Sequence, residues 1–216
     1  MERKALNYFI VLCCGLALAA GAPFFFERFD QGTDNGVPKG WQLKQWAGGH
    51  DVREEKEEGR TVVHLISTQD SFGIVKKFRW NTRDHPKIYW RWKVTVLPKG
   101  GDVRVRSKDD QAAQLYIVFP RFPSVINSRL LGYIWESTAP QGGEFVSTKY
   151  SKTRYIVLES GATNLGKWIT EERNVYEDYK RLFHEEPPEA DGITLMINSE
   201  NTESRAEGYF GEIEIP

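Results

Sequence analysis

Lys87–Leu97 reads KIYWRWKVTVL, and its alternation decides the fold class. Successive side chains of a strand point to opposite faces, so residues two apart share one. Trp90, Trp92, Val94 and Val96 therefore fall on one apolar face, while Tyr89, Arg91, Lys93 and Thr95 share the other. A helical period of 3.6 would scatter both sets. One face is core. The other is amphipathic and meets solvent or a ligand.

The same period recurs on both sides of this segment. It predicts strands over Phe24–Phe29, Gly40–Trp46, Arg60–Ser67 and Phe72–Trp80, then Ala112–Phe119, Leu130–Glu136, Thr153–Ser160, Gly192–Asn198 and Glu207–Ile215. Proline and glycine clusters separate them, among them Pro98 to Gly101 and Pro140 to Gly143. Short strands punctuated this way predict a mainly β chain: an antiparallel β-sandwich of jelly-roll type, not alternating βαβ units. One amphipathic helix is expected, capped by Thr170, with Glu171 and Glu172 at its positive end. Val175, Tyr179 and Leu182 mark its apolar face, and Pro187 bars its continuation. Such a helix should plug one end of the sandwich or cover one face.

Residues 1–22 read as a signal peptide. Arg3 and Lys4 precede the apolar run Ala5–Leu18, and small residues follow to Ala22. The competing reading is an uncleaved anchor, the only membrane contact expected, since the run is near the lower limit for a span. Both cysteines, Cys13 and Cys14, fall within that run. The remainder therefore has no disulfide or thiolate chemistry, although a periplasmic or secreted location would permit disulfides. Residues 23–216 suit a single domain. The net charge of −1 excludes the basic excess of a nucleic-acid binder. Aromatic content is high at 13%, with seven tryptophans, which serves a core and also binding platforms.

Several segments together resemble a bacterial family of exported proteins, domain-of-unknown-function family 3047. They are YWRWKV (Tyr89–Val94), KDDQAAQLYIVF (Lys108–Phe119), LGYIWE (Leu131–Glu136), WITEERNVYEDYKRLF (Trp168–Phe183) and NSENTESRAEGYFGEIEI (Asn198–Ile215). The family pattern favours Asp where Glu200 stands and Arg where Gln114 stands. The resemblance implies an exported β-sandwich and brings no established activity. A looser likeness links FERFD and YFGEIEI to the paired first and last strands of galactose-binding-type sandwiches, as in carbohydrate-binding modules.

Motifs for enzymatic chemistry are lacking: no Gly-x-Ser-x-Gly, His-Glu-x-x-His, phosphate loop or dinucleotide fingerprint occurs. The four histidines are scattered without metal-ligand spacing. Asp109 and Asp110 are the carboxylates that need an account. A turn explains them cheaply, because Asp accepts bonds from nearby amides. A calcium site is a further reading, opposed by Arg104, Arg106 and Lys108. The sharper reading has Asp110 orient a polar ligand with Arg173 and Asn201, while Asp109 serves mainly the turn. Arg91, Trp135 and Trp168 complete the candidate ligand-binding set, each tryptophan having core as its rival role.

These residues point to an exported, non-catalytic binding protein of the cell envelope, with a carbohydrate or glycoconjugate as ligand and neither cofactor nor metal. The alternatives are a carbohydrate-active enzyme using a carboxylate pair from Asp109, Asp110 and Glu136, and an envelope protein binding another protein through the Arg91/Lys93 face.

Overall fold

The computed structural model describes residues 22–216, so the signal peptide expected over residues 1–22 lies outside them but for Ala22. The first half of the chain forms β1 (Phe25–Glu27), β2 (Thr33–Asp34), β3 (Val37–Pro38), β4 (Gln42–Ala47), β5 (Val52–Glu57), β6 (Arg60–Thr68), β7 (Ser71–Trp80) and β8 (Lys87–Val96). The second half forms β9 (Ala113–Phe119), α1 (Ser124–Asn127), β10 (Arg129–Glu136), β11 (Glu144–Val146) and β12 (Thr153–Ser160). It closes with β13 (Ile169–Asn174), α2 (Val175–Phe183), β14 (Ala190–Asn198) and β15 (Arg205–Ile215).

Two sheets face each other as a jelly-roll β-sandwich. The first runs β13-β8-β15-β6-β5, with β1 paired to β15, and the second runs β11-β12-β10-β9-β14-β7-β4. Pairing is antiparallel among the described strands except at β10–β12, where Leu130 and Thr153 are partners in a parallel ladder. The first and last strands do pair: Phe25 lies opposite Ile215 and Glu27 opposite Ile213.

The alternation of β8 appears in its packing. Ile88, Trp90, Trp92 and Val94 are buried. Trp92 meets Trp135 of the facing sheet at a ring separation of 5.9 Å, and Trp90 meets Tyr133 at 5.3 Å. Aromatic contacts of this kind add about 0.5–1.5 kcal/mol beyond their area burial.

The helix starts later than its sequence suggests. Thr170 to Arg173 belong to β13, which pairs with β8, and the cap is Asn174, whose side chain accepts from the Glu177 amide at 3.0 Å. Glu171 accepts from the Trp92 indole at 3.1 Å, and Glu172 pairs with Lys87. Neither serves the helix dipole. Val175, Tyr179 and Phe183 turn inward into the main core, so α2 closes one part of the sandwich. The alternation left β2, β3, β5, β11 and β13 unmarked; β5 and β13 are edges of the first sheet, β11 is an edge of the second, and β2 and β3 form a short ribbon of their own. Edge strands carry charge on both faces and so lose the period-two signal.

Candidate functional site

The second sheet buries one face in the core and presents the other to a cleft. In β9, Leu115, Ile117 and Phe119 point inward, while Gln114 and Tyr116 point out. In β14, Ile193, Leu195 and Ile197 point inward, and Thr194, Met196 and Asn198 point out. The outward side chains form the floor of a cleft of about 320 Å³. That volume is at the lower end of small-ligand sites, roughly 300–1,000 Å³.

The floor is aromatic. Tyr116 and Tyr155 lie 6.1 Å apart at their ring centres, with Gly132 of β10 paired to both. A β-carbon at Gly132 would come within 2.7 Å of the Tyr116 ring and 3.0 Å of Tyr155. The absent side chain is what lets the two rings converge. Burial pushes the Tyr116 hydroxyl well above its usual pKa and the Tyr155 hydroxyl up to about 12. Both stay protonated and able to donate. Tyr116 donates to Gln114 at 2.5 Å, and Gln114 donates to Asn198 at 2.7 Å.

The rim is polar and charged. Loops around the cleft contribute Asp109, Gln111, Ser147, Lys149, Tyr150 and Glu200, and Trp46 stands over one edge with 54% of its surface exposed. Gln111 donates to Oδ1 of Asp109 at 2.9 Å, but Oδ2 of Asp109 is buried with no partner. Lys149 Nζ reaches the Asp109 carbonyl at 3.2 Å and Oε1 of Glu200 at 3.5 Å, leaving Oε2 of Glu200 without a partner. Loss of hydration raises the pKa of both carboxyls, with Lys149 opposing the shift in each. A buried acceptor without a protein partner is completed by water or by a ligand donor. Among the described residues, no group of three or more His, Cys, Asp or Glu could hold a metal ion.

A family model described as a protein of unknown function (DUF3047) matches residues 39–214. The chain belongs to the DUF3047 family. No curated protein matches it. Among solved structures, the family 11 carbohydrate-binding module of a cellulosomal cellulase of Clostridium thermocellum is similar at 11% identity and a TM-score of 0.47, over 91% of this chain and 95% of that one. The family 11 xylanase from Neocallimastix patriciarum is similar at 12% identity and a TM-score of 0.39, over 88% and 95%. Endoglucanase 3 of Trichoderma harzianum, from family GH12, is similar at 6% identity and a TM-score of 0.41, over 82% and 98%. These are likenesses of strand arrangement, and shared chemistry does not follow from them.

This DUF3047 chain distributes its sequence-derived site residues over both sheets. Asp109 and Asp110 lie between a short 3-10 turn (Arg106–Lys108) and β9, and it is Asp109, not Asp110, whose side chain lines the cleft. Asp110 is fully buried and accepts from Asn198 at 2.9 Å, from Asn201 at 2.7 Å, and from the Thr202 amide and hydroxyl at 2.7 and 2.8 Å. Its oxygens are spent on the β14–β15 loop, and Asn201 is one of the groups it fixes. Asp109 is the carboxyl that opens to the cleft. Arg173 lies on the other sheet, bound through two nitrogens to Asp178 at 2.6 and 2.9 Å.

Trp135 is completely buried and packs in the main core. Arg91 and Trp168 belong to the outer face of the first sheet, where Arg91 lies 4.9 Å from the centre of the Trp168 ring and pairs with Glu58 and Glu212. Lys93 sits between the Trp168 and Tyr209 rings and pairs with Glu57. That face satisfies its own charges. Glu136 is likewise spent: it is fully buried and accepts from the amides of Val103, Thr138 and Ala139. Sequence reasoning missed Gln114, Tyr116, Tyr155, Lys149 and Glu200. The outward alternation of β9 could signal Gln114 and Tyr116 and that of β12 Tyr155, whereas Lys149 and Glu200 lie in loops that carry no such period.

Proposed function

We propose that this protein is exported to the cell envelope and binds a carbohydrate or glycoconjugate, without breaking it, in the cleft of the seven-stranded sheet. The observation that carries the reading is an aromatic floor, Tyr116 and Tyr155, bordered by amides and by carboxyl oxygens with no protein partner. Aromatic faces pack against the C–H faces of a sugar, while carboxylates and amides accept and donate to its hydroxyls. Of the carboxylates read as an enzymatic pair, Asp110 and Glu136 have their oxygens committed to internal hydrogen bonds. Neither is free to transfer a proton.

One observation favours an enzyme as the second reading. Asp109 and Glu200 both line the cleft with raised pKa, the condition for a general acid. A glycan-array screen of residues 23–216, followed by a reducing-end assay on each hit, separates the two. Binding without release of reducing ends supports the binding reading, and turnover overturns it in favour of the enzyme. Export is tested by N-terminal sequencing of the envelope fraction. The chain should begin between Ala20 and Pro23, and intact Met1 in the membrane pellet would indicate an anchor instead.

A further inference from the structure

The rim of the cleft has a charge imbalance that a neutral sugar would leave in place. Three carboxyls stand together there: Asp109 and Glu200 in the cleft, and Asp110 in the wall behind. Among the described residues, Lys149 is the cation that acts on both cleft carboxyls. Its ammonium is placed against the Asp109 carbonyl and one oxygen of Glu200. Oδ2 of Asp109, a residue 1% exposed, makes no hydrogen bond of good geometry although the Thr148 hydroxyl lies near the carboxyl, and Oε2 of Glu200 makes none beside the like-charged Asp110. A ligand hydroxyl would satisfy the lone pairs alone. An ammonium would satisfy them and offset the buried negative charge as well, which is the larger requirement in a poorly hydrated site.

We propose that the cleft is selective for a saccharide unit bearing a free primary amine, whose ammonium lies between Asp109 and Glu200. The inference rests on the carbohydrate reading of the cleft and adds the substituent that the cleft selects. Tyr116 and Tyr155, each 6% exposed, then floor the site beneath the sugar, and Lys149 stays on the opposite oxygen of Glu200. Acetylation of the amine removes the charge and adds bulk beside the buried Asp109, so the acetylated sugar is discriminated against.

The test is calorimetric titration of residues 23–216 at pH 7 and low salt with three β-1,4 disaccharides: diglucosamine, its N,N′-diacetyl form and cellobiose. Diglucosamine should bind at least about tenfold tighter than the other two, the worth of one charge-assisted contact. The preference should shrink as salt rises. Asp109→Asn and Glu200→Gln should each reduce it below about threefold, and Glu200, which is partly exposed, provides the second variant if Asp109→Asn melts early. Equal or tighter binding of cellobiose or the diacetyl form overturns the amine selectivity and leaves the carbohydrate reading standing. Failure of all three to bind also overturns it, and the glycan array then decides the broader reading independently.

Discussion

Tyr116 and Tyr155 hold their hydroxyls 3.3 Å apart although their strands are not neighbours. β10 runs between them, and in that row its residue is Gly132. The cleft floor thus depends on a missing side chain. The neighbours of Gly132, Leu131 and Tyr133, face the core, while Leu130 and Ile134, two positions away on either side, pack beside the two tyrosines.

Gly132→Ala should therefore push both rings out of place. A methyl group would stand 2.7 Å from Tyr116 and 3.0 Å from Tyr155, and overpacking of this kind costs about 1–3 kcal/mol. Urea denaturation should show a lower midpoint with an unchanged slope, and affinity for any array hit should fall. An unchanged midpoint together with unchanged affinity would mean that the rings have room to move and that the glycine is incidental.

Asp110 makes the opposite prediction to that of a ligand contact. Asp110→Ala strips acceptors from Asn198, Asn201 and Thr202 at once, leaving buried donors unpaired. The expected loss is about 3 kcal/mol of stability, read by chemical denaturation. Full stability with lost ligand binding would return Asp110 to the site.

Asp109 should reveal itself through pH. Burial raises its pKa in the folded chain above the unfolded value. Between those two values the folded chain holds the extra proton, so stability falls as pH rises through the interval. The groups facing this carboxyl are Gln111, Lys149, Asp110 and Thr148, and all remain in Asp109→Asn. The stability of wild type relative to Asp109→Asn should therefore decline from about pH 4 upward and then level off. A difference that grows with pH would show that the fold stabilises the charged form.

The fold was legible where one side of a strand is wet and the other dry. β8 is the clear case, since Trp90 and Trp92 alternate with Arg91 and Lys93 and the burial follows. Even there the polar side is not open: Lys93 is covered by Trp168 and Tyr209. β13 was illegible because an edge strand reading ITEERN has no apolar alternation, and its two glutamates imitate the first turn of a helix. The site was legible in part. The two aspartates sit in the connection before β9, where no period applies, and Asp110 is drawn away from the cleft by Asn198, Asn201 and Thr202, which lie 88 to 92 residues further on. Tyr116 and Tyr155 escaped notice because an outward tyrosine in a strand looks the same over a cleft as over solvent.

The proposed ligand enters on the outer face of the seven-stranded sheet. The most direct measurement is ¹H–¹⁵N chemical-shift mapping during titration with the strongest glycan-array hit. The account predicts that the side-chain amides of Gln111, Gln114 and Asn198 shift together with the backbone of Lys149 and Tyr150, while the Trp168 indole stays in place. Shifts centred on Trp168, Arg91 and Lys93, with the cleft amides unmoved, would contradict it.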